Sequence, residues 1–276
     1  MKKFRFLITV VSVLLFSPSC DKEEITTNDD VLIEQESAVE LMMVELDGLE
    51  EEALGIKLTP LKSASLDRFY FMSDCPVMTL NLTANPKVIT IDFGTGCTGK
   101  DGKVRSGKIL VTSSTLENFG MERVKTFDNF YVDGKKVEGT ITKKITIDRE
   151  DHTRIANVKE DVTVTFPDNA GKATRKSDMT REYQLFVLGW VKDNVVKSWG
   201  TSEFKRLSGV KLSKTIAATN PLVYKMECHQ NVSGVVTVTT SDNSTWSIDF
   251  GNGECDNKAV VTKNGESKEI NIRKDK

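Results

Sequence analysis

The chain has 276 residues, with 38 Lys and Arg against 40 Asp and Glu and a 38% hydrophobic content. The near balance of charge offers no basic excess for nucleic acid. Length and apolar fraction suffice for a full core, and the single long apolar run, at the N-terminus, excludes a polytopic helical membrane protein.

In chain order the first predicted element is a signal peptide over residues 1–19. Lys2, Lys3 and Arg5 precede an apolar stretch from Phe6 to Phe16, which is followed by Ser17-Pro18-Ser19-Cys20. The stretch is shorter than the roughly 20 apolar residues that span a bilayer. Ser19-Cys20 resembles a bacterial lipobox, although Ser17 and Pro18 replace the usual residues there. The resemblance implies that Cys20 is acylated, becomes the mature N-terminus and anchors the chain to a membrane. The acidic cluster Asp21, Glu23, Glu24 resembles the export signal of surface lipoproteins of the Bacteroidota, whereas the enterobacterial rule would read Asp21 as inner-membrane retention. The expected location is the outer membrane, facing outward. Without Lys2, Lys3 and Arg5 the mature chain holds 35 basic against 40 acidic groups. Residues 20–35 are polar and poor in core formers, which suits a lipidated Cys on a flexible tether.

A helix is predicted over residues 36–55. Val39, Met42, Met43, Leu46, Leu49 and Ala53 recur at three and four, with the acidic residues placed opposite. Ser37 with Glu40 suits a capping box, and Gly55 suits a terminator. Such a helix packs on a sheet or plugs a barrel end; the rival reading is a Met-bearing surface for a partner.

Residues 60–276 alternate apolar and polar positions between short turn signals, as in "VEGTITKKITI" and "NVKEDVTVTF". Phe127, Val137, Ile141, Ile145, Ile147, Val162, Val164 and Phe166 fall among the apolar positions. The reading is all-β, a single mostly antiparallel domain of about 12 strands, arranged as a curved sheet, a sandwich or a partly closed barrel.

One motif occurs twice. "ITIDFGTGC", Ile89 to Cys97, returns as "WSIDFGNGEC", Trp246 to Cys255. Each copy ends in a Cys, and each has another Cys upstream, at a separation of 22 in one case and 27 in the other. In an oxidising compartment the four cysteines other than Cys20 therefore pair as Cys75 with Cys97 and Cys228 with Cys255. A cross-strand bridge centres a hairpin turn midway between its cysteines. The midpoints are Pro86, within "TANPK", and the Ser241–Asp242 bond, within "TTSDNST", both of turn composition. The expected hairpins span 75–97 and 228–255. Gly94, Gly96, Gly251 and Gly253 supply a bend before each second Cys.

Competing chemistries find too few parts. Zinc lacks a C-x-x-C spacing and has only His152 and His229 for nitrogen. Asp-Phe-Gly stands without the other kinase motifs. Calcium at Asp92 with Asp101 and Asp249 with Asp256 matches no EF-hand spacing. No metal or cofactor is expected.

The stretches "IDFGTGCTGKDGKVRSGKI", "FDNFYVDGKKVEGT" and "FGNGECDNKAVVTKNG" together resemble a family of Bacteroidota cell-envelope lipoproteins carrying a duplicated I-D-F-G-x-G-x-C motif. The resemblance implies a cell-envelope lipoprotein and brings no activity with it.

An enzyme is disfavoured. His152 sits in the very polar "DREDHT", His229 follows Cys228 directly, oxidised cysteines leave no thiol, and Ser113 and Ser114 look solvated. A binding or structural role fits better, with Tyr70, Tyr131, Trp190 and Trp199 as candidates for a glycan or protein face. The alternatives are a periplasmic carrier of lipid or another hydrophobic ligand and, less favoured, a carboxylate-based hydrolase.

Overall fold

The computed structural model describes residues 27–53, 75–81, 83–116, 120–148, 150, 153–184, 195–225 and 230–272. One helix, α1 (Thr27–Ala53), precedes fifteen strands. These are β1 (Val77–Asn81), β2 (Lys87–Asp92), β3 (Cys97–Thr98), β4 (Val104–Thr115), β5 (Met121–Val132), β6 (Lys135–Asp148), β7 (Thr153–Thr165), β8 (Lys172–Gln184), β9 (Val195–Arg206), β10 (Lys211–Ile216), β11 (Leu222–Lys225), β12 (Gln230–Thr240), β13 (Thr245–Asn252), β14 (Lys258–Lys263) and β15 (Glu266–Asn271).

All fifteen lie in one antiparallel sheet whose order follows the chain, with β3 and β11 as short side pieces. The fold is thus all-β with a helix, and the curved sheet is the correct member of the three arrangements expected. The expectation of about 12 strands was low, and a two-sheet sandwich does not form among the described residues. Turn chemistry explains the meander. Asp133-Gly134 and Asn264-Gly265 all carry positive φ, as a two-residue primed turn requires, and they join β5 to β6 and β14 to β15.

Alternation along the long strands puts one row of side chains inside. On β6, Val137, Ile141 and Ile145 are buried; on β7, Ala156, Val158, Val162 and Val164. Ile147, read as an apolar strand position, is 37% exposed near the end of β6. The inner row closes on α1, whose Val39, Met42, Met43, Leu46 and Leu49 are all buried. At about 25 cal/mol per Å2, burying five such side chains is the main force holding α1 to the sheet.

The sheet must curl around the helix. Glu45 and Asp47 point roughly 200° apart around the helix axis. Nevertheless Glu45 meets Arg105 on β4 and Asp47 meets Arg181 on β8. Four strand spacings of about 4.8 Å separate these two strands, so only a sheet bent over the helix reaches both sides of it. Glycine permits the bend. Gly139 on β6 has φ +115° and Gly200 on β9 has φ +134°, and each lies so close to the neighbouring strand that no side chain fits.

The helix differs from expectation at its start. It begins at Thr27, not residue 36, and so takes up part of the segment read as tether. Ser37 and Glu40 are therefore interior positions and not a cap. Gly55 lies outside the described residues.

Cys75 and Cys97 form a disulfide with 5.8 Å between their Cα atoms. The hairpin around it is real but shifted. β1 opposes Val77 to Asp92, which centres the turn between Ala84 and Asn85 and not on Pro86. The shift arises because residues 93–96 leave the β2 ladder as a turn, after which Cys97 pairs with Arg105. For the second copy, Thr239 opposes Thr245, placing the centre on Asp242, half a residue from its expected place. Cys255 is disulfide-bonded, and Cys228 lies outside the described residues. The first bridge closes a separation of 22 residues. Replacing both Cys75 and Cys97 by Ala is expected to cost about 3 kcal/mol in a denaturant titration. A loss under about 1 kcal/mol would show that the bridge does not restrain the unfolded chain.

Candidate functional site: an ion-paired groove around the helix

The acidic residues of α1 do not face solvent as the periodicity had suggested. Glu36, Glu45 and Glu50 are buried, whereas Leu41 is 62% and Val44 48% exposed. Glu36, Glu40, Asp47 and Glu50 fall on a stripe of alternating four- and three-residue steps through Met43, adjoining the apolar stripe of Val39, Met42, Leu46 and Leu49. Both stripes enter the groove.

The sheet answers them with cations at inward positions of five strands and one loop. Glu50 is the hub: Arg123 Nη1 donates to it at 3.0 Å, Lys125 Nζ lies at 2.9 Å and Lys143 Nζ at 3.6 Å. Lys125 Nζ also donates to the Leu46 carbonyl at 2.6 Å, tying β5 to the helix backbone. Asp47 pairs with Lys143 and, at 3.5 Å, with Arg181. Nearer the N-terminal end, Lys214 Nζ on β10 lies 2.8 Å from Glu36 and 2.5 Å from Glu40. Arg175 on β8 shares itself between Glu36 at 3.4 Å and the sheet's own Glu160 at 2.7 Å, and Ser177 Oγ donates to Glu160 at 2.7 Å. On the other side, Glu45 meets Lys103, in the loop before β4, and Arg105, which is held by a two-pronged contact to Asp101 at 2.9 and 2.5 Å. Eight cations of the groove thus face five carboxylates of the helix.

Burial disfavours the charged carboxylates, and the cations more than compensate at most positions. Desolvation pushes Asp47 up, but Lys143, Lys125 and Arg181 pull it further down, below the usual carboxylate range. Glu50 follows the same pattern through Lys125 and Lys143. Glu36 is the exception: burial outweighs Lys214 and Arg175, and its carboxyl titrates higher than usual. A carboxyl with a depressed folded value contributes stability that is present above its unfolded value, near pH 4, and is lost as pH falls through the folded value. Glu36 contributes in the opposite sense, losing its share as pH rises through its raised value. With Asp47 and Glu50 acting together, the expected result is a melting temperature that drops steadily below about pH 4. Thermal unfolding by circular dichroism between pH 7 and pH 2.5 checks this, and a flat profile would contradict the pairing.

The residues expected to carry function are dispersed. Cys20, Asp21, Glu23, Glu24, Tyr70, His152, Trp190 and His229 lie outside the described residues. Tyr131 and Trp199 are half-buried, and Trp199 packs against the core, so these two form no open aromatic platform. Ser113 and Ser114 are half-buried on β4, less solvated than expected.

The Asp residues of the two motifs serve the backbone. Asp92 Oδ1 accepts from Gly94 N at 2.9 Å and Asp249 Oδ1 from Gly251 N at 2.9 Å. Asp101 Oδ1 accepts from Lys103 N at 3.2 Å and Asp256 Oδ1 from Lys258 N at 3.0 Å. These are four turns of the kind in which an Asp side chain caps the amide two residues on. Duplication of the motif therefore repeats one bend, in which a strand leaves its ladder through glycine and returns at a neighbouring strand. The copies differ in depth, since Ile91 and Phe93 are fully buried and Ile248 and Phe250 only half-buried.

The groove was missed because its signal lies in phase with apolar residues. Lys143 stands between Ile141 and Ile145, Glu160 between Val158 and Val162, and Arg175 between Ala173 and Ser177, all at inward positions. No protein-family model matches the chain, and no curated protein or solved structure matches it either. The resemblance to Bacteroidota lipoproteins thus rests on the motifs alone.

Proposed function

We propose that the protein is an outer-membrane lipoprotein, lipidated at Cys20 and exposed at the cell surface, where it has a non-enzymatic binding or structural role toward a glycan or protein. The observation that carries the envelope assignment is the Cys75–Cys97 disulfide, which suits an oxidising compartment, in a chain whose leader ends in Ser19-Cys20. A scaffold role is supported by the way the charged groups of the interior are spent on one another between helix and sheet. The carrier alternative is less favoured, because the inner face on which a lipid would lie is filled by α1.

Labelled palmitate should enter the wild-type chain and not Cys20→Ala, and protease added to intact cells should remove the β domain. Equal labelling of both chains would reject lipidation at Cys20. Full protection of the domain would move it to the periplasmic side.

A further inference from the structure

We infer that the groove is a docking site for acidic amphipathic helices, which α1 occupies in cis, and that a partner presenting the same two stripes can take its place. The inference is independent of where the protein is anchored. Three observations carry it.

The sheet is complete without the helix, because every strand pairing is to another strand. The carboxylates that neutralise Lys125, Lys143 and Lys214 come from α1, a single continuous segment. That segment is also separable by connectivity. Ala53 and Val77 are 24 positions apart, a length of chain that can span roughly 75 Å when extended, so α1 can leave the groove without disturbing β1.

The chemistry of the groove selects the partner. Its floor is apolar at Val137 and Ile141 and cationic at Lys125 and Lys143. A free phosphate or a sugar acid would satisfy the cations and leave the floor wet. A helix with carboxylates at i, i+4, i+11 and i+14 and apolar residues on the adjoining stripe satisfies both, over about 21 Å of helix length. The match between α1 and the groove shows that such a helix fits.

The test uses the chain from Asp21 with a specific protease sequence inserted between Ala53 and Val77. The probe is a fluorescent peptide of residues 27–53. After cleavage the peptide should exchange into the protein, while the uncut chain takes up little because its own helix competes at high effective concentration. A peptide carrying Glu36→Gln, Glu40→Gln, Asp47→Asn and Glu50→Gln should bind at least about 100-fold more weakly. Failure of the labelled peptide to exchange, equal binding of the neutralised peptide, or loss of the sheet's circular dichroism on cleavage would each overturn the inference, the last because α1 would then be an inseparable part of the core.

Discussion

Replacing Glu50 by Gln is expected to lower stability by about 3–5 kcal/mol, the usual result of breaking a buried ion pair from one side. Glu50, Arg123, Lys125 and Lys143 are each no more than 3% exposed at the side chain, so the cations left behind cannot recover their hydration. Gln keeps the volume and a hydrogen-bonding oxygen, so the change isolates the charge. Lys125 keeps its bond to the Leu46 carbonyl, and Lys143 keeps Asp47. The surface pair of Glu122 with Lys144 is the control: both partners are substantially exposed, and Glu122→Gln should change stability by less than about 1 kcal/mol. Urea titrations of the two variants decide between them. Equal and small effects would mean that water reaches Glu50 in solution. Buried ion pairs need not stabilise a fold relative to apolar packing; here they fix the rotation of α1 in the groove.

Gly139→Ala tests the bending of the sheet, and it should be at least as damaging. A Cβ at this position would lie 2.2 Å from the Asp161 carbonyl oxygen, and the backbone has φ +115°, where an alanine is strained. Neither β6 nor β7 can retreat, because each is paired on both sides. The expected loss is about 3 kcal/mol or more, or failure to accumulate as folded protein. Gly96→Ala is the matched control, since a Cβ there meets nothing within 4 Å, and it should be close to neutral. A Gly139→Ala variant of near wild-type stability would mean that the two strands are further apart than described.

The contrast between these sites shows what the chain discloses by itself. Strand identity was legible, because period-two alternation in "VEGTITKKITI" survives whatever lies on the inner face. The two hairpins were legible from cysteine spacing and turn composition. Their register was not, since residues 93–96 leave the ladder and a bridge beyond such a bulge no longer marks opposed residues. The helix was legible as a helix, but its orientation was misread. An acidic stripe beside an apolar stripe is usually solvated, and only the partners reveal that both are inside. Lys143 and Arg175 were the available signal, as charges standing in the apolar phase of their strands. Tertiary pairing decided against the usual meaning of the pattern.

Hydrogen exchange of α1 tests most directly the claim that its acidic stripe is enclosed by the sheet. At neutral pH the amides from Val39 to Leu49 should be protected to about the same degree as those of β6 and β7, because opening the helix exposes paired charges and apolar side chains together. Below about pH 4, after correction for the intrinsic exchange rate, their protection should fall relative to that of the strands as Asp47 and Glu50 are neutralised. Exchange of these amides within seconds at neutral pH, with β6 and β7 still protected, would contradict the account and place α1 outside the groove.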